Sequence, residues 1–188
     1  MICVVSALFL APRPLHGLQT TFLDVGQGDG IFFRTRHGVI LLDGGSTDQK
    51  KLGQQVLEPY LKSNGISKVS YAIVSHGDQD HISGLSYLLE SDSGIQIQSL
   101  ILPIRGKEDP IYARLGQQAE NAGAKVFWMK QGDQIRVDGL SLQCLYDGAG
   151  TDETERNNHS LLLQASYGDF GMLLTGDMSA DGELQWLE

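Results

Sequence analysis

Residues 75–81 read SHGDQDH, which places His76, Asp78, Asp80 and His81 within six positions. Imidazole and carboxylate are the ligand types for zinc, manganese and iron. His76 and Asp78 are two apart, so in an extended segment they face the same side. Asp80 and His81 open the next helix, and the turn into it can aim them near the first pair. Gly77 allows the tight path this needs. The plain alternative is a polar loop in which Asp78 or Asp80 caps the helix. Four more segments end an apolar run in a polar group. They are FLDVGQGDG at 22–30 with Asp29, LLDGG at 41–45 with Asp43, NNHSLLL at 157–163 and LLTGD at 173–177 with Asp177. Each alone has a local explanation as a turn or a cap. Together they predict a metal site along one rim of the fold.

The elements that must hold these residues are readable from periodicity. QTTFLDV, IFFRTR and VILLD are short β-branched and aromatic runs divided by GQGDG and HG, an antiparallel meander. DQKKLGQQVLEPYLKSNG carries Leu52, Val56, Leu57, Tyr60 and Leu61 at helical spacing. VSYAIVS is a continuous apolar strand and HISGLSYLLES a helix. QIQSLILP, AKVFWM, QIRVDG and LSLQCLY read as strands, and DPIYARLGQQAENAG as a helix. SLLLQASY and FGMLLTG flank a Gly168–Asp169 turn as a hairpin. SADGELQWLE reads as the start of a helix. Strands, then helix–strand alternation, then strands predict a single layered α/β/β/α domain.

With 188 residues the chain is long enough to bury a sizeable core. Its net charge of −9 argues against broad non-specific nucleic-acid binding, which needs a basic face. Acidic residues used as metal ligands are neutralised by the metal, so the charge does not exclude such binding. Cys3 and Cys144 form no framework of disulfides. MICVVSALFLAP is uncharged and apolar but shorter than the roughly 20 residues of a membrane span. It reads as a buried strand or helix, a short signal peptide, or the tail of a transmembrane helix. PRP after it ends any helix.

SHGDQDH resembles the HxHxDH motif of the metallo-β-lactamase fold, in an HxDxDH form. DVGQGD, LLDGG, NNHSLLL and LLTGD resemble the soluble domain of the ComEC-like proteins of bacterial DNA uptake. The resemblance runs from about Thr20 to Asp177, with the motifs in the family's order. It implies a four-layer α/β/β/α sandwich and a hydrolase with two divalent metal ions. His76 and Asp78 would bind the first metal, Asp80 and His81 the second, and Asp177 would bridge them. The third motif falls in Asn157–Ser160, where either Asn158 or His159 faces the metals. Asp43 would sit beneath the site and hold a ligand in orientation, and Asp29 would line the rim. Two metals about 3.5–4 Å apart activate a bridging water and stabilise the leaving oxygen. Asp80 would orient that water or carry its proton. Asp78 in place of a histidine adds a hard oxygen, which predicts manganese over zinc or magnesium and suits phosphodiester chemistry.

The family places a further histidine after the TGD segment, and this chain ends eleven residues past Asp177 without one. A fragment of a longer protein is the expected explanation. Residues 1–18 would then be an apolar lead-in, the end of a transmembrane helix, and 19–188 the domain without its last strands and helices. The implied function is a nuclease or phosphodiesterase with DNA as substrate, in a bacterial cytoplasmic membrane protein whose soluble domain lies on the outer face. The alternatives are a hydrolase of a small ester, thioester or lactam, and a non-catalytic domain. The basic residues Arg34, Arg36, Arg105, Lys107 and Arg136 are scattered, so DNA as substrate rests on the resemblance.

Overall fold

The computed structural model describes residues 15–149 and 160–187. The apolar lead-in up to residue 14 and the Asn157–His159 part of the third motif lie outside the described residues.

The meander forms as β1 (Gln19–Phe22), β2 (Ile31–Arg34) and β3 (Val39–Leu42), paired antiparallel. β4 (Lys68–Val69) and β5 (Tyr71–Ile73) follow a helix, and β6 (Gln96–Ile97) and β7 (Ser99–Pro103) follow the next. β8 (Lys125–Met129) completes a six-stranded sheet in the order β1-β2-β3-β5-β7-β8, with β3, β5, β7 and β8 parallel. β9 (Gln134–Val137), β10 (Leu140–Tyr146), β11 (Leu162–Tyr167) and β12 (Phe170–Leu174) make a four-stranded antiparallel sheet. Tyr167 pairs with Phe170 across Gly168–Asp169, the hairpin expected there.

Alternation along the central strands explains the layering. Phe32, Leu41, Ala72, Leu100 and Leu102 point to one face, and Ile31, Phe33, Ile40, Leu42, Ile73 and Ile101 to the other. The first face meets three helices: α1 (Glu58–Ser63), α2 (Gln79–Glu90) and α3 (Pro110–Asn121). These bury Leu61, Leu85, Leu88, Tyr112 and Leu115. The second face meets Leu140, Leu142, Cys144, Leu163 and Ala165 of the four-stranded sheet. Each such large side chain taken from water stabilises the fold by about 1.5–3 kcal/mol. A fourth helix, α4 (Ala180–Leu187), follows β12.

Three expected elements are shorter or broken. The first strand stops at Phe22, because Leu23 N–H donates to the Gly30 carbonyl and closes the following residues into a loop. VSYAIVS and QIQSLILP are each split, since β4 and β6 peel off to pair with one another. The turn at Ile104–Gly106 was not foreseen. Before α1, Gly53–Leu57 forms a wider π-type turn. Gly53 sits against α2 there, and a Cβ on it would lie 2.5 Å from the Tyr87 ring.

Candidate metal centre

The parallel strands β3, β5 and β7 end at one edge of the sheet, an arrangement that places ligands in α/β folds. Asp43 follows β3, Ser75 and His76 follow β5, and Arg105 follows β7. Two glycine loops lock onto the start of α2 here. Asp29 N–H donates to the Asp80 carbonyl (3.1 Å), Gly44 N–H to the His81 carbonyl (2.8 Å) and Gly45 N–H to the Asp29 carbonyl (3.1 Å). The backbones meet so closely that no side chain fits. A Cβ on Gly45 would collide with the Asp80 carbonyl carbon and lie 2.5 Å from His81 N. A Cβ on Gly28 would strike the Asp80 carbonyl oxygen. The GQGDG and DGG motifs are therefore explained by chain approach.

Asp43 holds a left-handed backbone conformation at φ 55°. This turns its buried carboxylate back under the metal-type residues. Oδ1 accepts Ser75 N–H at 2.7 Å, and Oδ2 lies 2.7 Å from Ser75 Oγ and 3.0 Å from His81 Nδ1. Ser75 Oγ is in turn 3.1 Å from His76 Nδ1. Both imidazoles are buried, 0% exposed for His76 and 1% for His81, with ring centroids 4.0 Å apart.

His81 Nε2 lies 3.5 Å from Asp177 Oδ2, and His76 Nε2 lies 3.8 Å from Asp78 Oδ2. Two sets of ligand atoms converge to within 4.8 Å: His76, His81 and Asp177, and Asp29, Asp43 and His81. Asp78 stands at the N-cap position of α2, yet its side chain makes no capping hydrogen bond. Asp80 is half-buried in the first turn of α2 and stands outside both converging sets. Asp177 reaches His81 from the other sheet because Gly176 lies flat against Ser75. A Cβ on Gly176 would be 3.0 Å from Ser75 Oγ.

The buried histidines and the carboxylates around them shift one another's ionisation. Burial, reinforced by the neighbouring His81, lowers the pKa of His76, so its ring is held neutral. Burial also works against a charged His81. The Asp43 hydrogen bond and the charges of Asp43, Asp177 and Asp29 outweigh it and raise His81 to about 9. Asp29 is raised by burial and then by the nearby Asp43, an effect the charge of His81 partly opposes. His76 Nε2 is buried without a hydrogen-bond partner among the described residues. An orphaned imidazole nitrogen beside several carboxylates fits a divalent metal, which would satisfy the nitrogen and offset the crowded negative charge.

Residues 23–188 match the family model of the metallo-β-lactamase superfamily. The chain belongs to that superfamily. It is similar to ComE operon protein 3 of Bacillus subtilis, 30% identical over 96% of this chain and 24% of that protein. It is also similar to the competence protein ComA of Neisseria gonorrhoeae, 27% identical over 90% of this chain and 21% of that protein. The chain thus spans about a quarter of the length of the curated relatives it matches. Among solved structures it resembles a B3 metallo-β-lactamase with an active-site glutamic acid, at TM-score 0.55 and 17% identity, covering 93% of this chain and 65% of that one. That likeness carries the fold. The ComEC-like resemblance drawn from the motifs agrees with these relatives. No helix among the described residues is long and apolar enough to cross a membrane.

Sequence reasoning assigned no role to Ser75, although it begins the quoted motif. It also missed the Arg105–Asp147 pair, Nε to Oδ1 at 3.5 Å, on the same edge. The signal available for Ser75 was a hydroxyl directly before the first histidine at a strand end.

Proposed function

We propose that this superfamily member is the metal-dependent phosphodiesterase or nuclease domain of a ComEC-like membrane protein of bacterial DNA uptake, with its soluble domain on the outer face. The observation that carries the metal reading is the buried Nε2 of His76, without a hydrogen-bond partner among the described residues, beside His81, Asp177 and Asp78. His76 and Asp78 would hold one divalent metal and His81 and Asp80 a second, with Asp177 shared. Bound metals supply Lewis acidity, which neutralises a phosphoryl oxygen and acidifies a water. Asp43 orients His81, and Asp29 lines the rim. The Asp80 carboxylate would orient the attacking water or carry its proton. The carboxylate of Asp78 favours manganese over zinc.

Arg105 supports an anionic substrate. Its Nε faces the buried Asp147, whose other oxygen accepts Gln131 N–H at 3.1 Å. The guanidinium side chain is 44% exposed on the edge that carries the histidines. A guanidinium anchored on one side and open on the other is suited to a phosphate. The test uses the domain in its natural full-length chain. Single-stranded DNA, a thioester and a β-lactam are offered with manganese or zinc, and metal content is measured by mass spectrometry. Manganese-supported DNA cleavage is expected, with Arg105→Ala raising KM for DNA several-fold at unchanged metal content. Cleavage of only the small substrates, or no bound metal, would overturn the reading.

A further inference from the structure

We propose that Ser75 is a positioning residue that relays the influence of Asp43 to His76, so that one carboxylate keeps a hydrogen on Nδ1 of both buried histidines. The assignment follows from donors and acceptors. Asp43 Oδ2 and Ser75 Oγ are 2.7 Å apart, so one of them must donate. A carboxylate accepts only, so the hydroxyl proton of Ser75 points at Asp43. The reverse would press two acceptor oxygens together. Ser75 Oγ then faces His76 Nδ1 at 3.1 Å with a lone pair, and Nδ1 must carry its hydrogen. That leaves His76 Nε2 with the bare lone pair a metal needs, and this is the buried atom that has no hydrogen-bond partner among the described residues. His81 needs no relay, because its Nδ1 meets the same Asp43 oxygen directly at 3.0 Å. Its distance to Ser75 Oγ is longer, 3.5 Å.

Ser75 is held for this task from several sides. Its N–H is bound by Asp43 Oδ1, and its carbonyl accepts Leu161 N–H at 3.0 Å from the other sheet. A Cβ on Gly176 would lie 3.0 Å from its Oγ and 3.1 Å from its Cβ, so the glycine at 176 leaves the hydroxyl its place. The hydroxyl is thus fixed at the midpoint between Asp43 and His76.

The significance of the relay rests on the metal-hydrolase reading, but the tautomer is a property of the metal-free protein. Metal-free protein labelled with 15N in histidine is examined near neutral pH by long-range proton–nitrogen correlation, together with Ser75→Ala and Ser75→Thr. The wild type should show His76 as the Nδ1–H tautomer. Ser75→Ala should lose that preference, and Ser75→Thr should retain it. Mn2+ affinity, by titration calorimetry, should fall about tenfold in Ser75→Ala and recover in Ser75→Thr. A wild-type His76 protonated on Nε2 overturns the proposal without any variant. So does an unchanged His76 spectrum in folded Ser75→Ala. The expected tautomers with no metal bound by any form would sustain the relay and sink the hydrolase reading.

Discussion

The six-stranded sheet presents its share of the site buried and cross-braced, whereas the four-stranded sheet presents its share on an open rim. His76, His81 and Asp43 are each no more than 1% exposed, and backbone contacts among three loops hold them. The Asp177 side chain is 41% exposed and stands in the segment after β12. β12 leaves Phe170 and Leu173 in solvent, and α4 leaves Leu184 and Leu187. Among the described residues, the share of the four-stranded sheet is the one partly exposed carboxylate of Asp177.

The largest expected effect separates two glycines. Gly45→Ala pushes a methyl group into the backbone of Asp80 and His81, which cannot swing aside. Urea unfolding should show a loss of about 4 kcal/mol or more, or no folded protein. Gly171→Ala in β12 meets nothing within 4 Å and should stay within about 1 kcal/mol of the parent. Equal effects at the two sites would break the contrast.

Next in size is Asp43→Ala. It strands Ser75 N–H, the Ser75 hydroxyl and His81 Nδ1 without their acceptor. A loss of about 3–5 kcal/mol is expected, with metal binding lost as well. Asp177→Ala should cost about 1 kcal/mol or less and still weaken metal binding. Thermal melts with and without manganese distinguish the two.

A smaller effect is a pH window in the metal-free protein. Folded His81 keeps its proton up to about 9, while the unfolded chain releases it near the ordinary 6.5. Between those values the unfolded state binds fewer protons, so stability falls as pH rises. The contribution is complete below the unfolded value and gone above about 9, on the order of a few kcal/mol. Asp43→Asn should flatten the slope, and Asp177→Asn should change it less. A slope of opposite sign in urea titrations from pH 6 to 9.5 would refute the ionic account of His81.

The smallest effect concerns Cys144 on the inner face of the four-stranded sheet. Burial, then the charge of Asp147, pushes its thiol up to about 12. Iodoacetamide at pH 8.5 should leave Cys144 unlabelled in folded protein and modify it in urea, as read by mass spectrometry. Rapid labelling of the folded form would mean that this sheet is open on its inner face as well as its rim.

Much of the fold was legible because each central strand alternates between two apolar surroundings. Phe32 beside Phe33 and Leu41 between Ile40 and Leu42 mark a sheet covered on both faces. The peeling of β4 and β6 was not legible, since it depends on which neighbour Val69 and Ile97 find across the sheet. For the site, residue types and strand-end positions located Asp29, Asp43, His76, His81 and Asp177 along one rim. The GQGDG and DGG glycines read locally as turns, and their close approach to α2 emerges only when three loops fold together. The role of Ser75 was hidden because a serine beside a histidine acquires direction only from a carboxylate 32 residues away in sequence.

Tyr112, 1% exposed, packs its ring against two segments. A Cβ on Gly77 would lie 3.0 Å from its Cζ, and one on Gly106 would strike its Cε2, on the same edge of the ring. Gly77 follows His76, and Gly106 follows Arg105. The ring therefore packs against both the histidine loop and the turn that carries Arg105. A shorter side chain at position 112 would leave a cavity under both loops at once. One buried phenol thus couples the packing of the first histidine to that of the arginine, from a position outside both converging sets of ligand atoms.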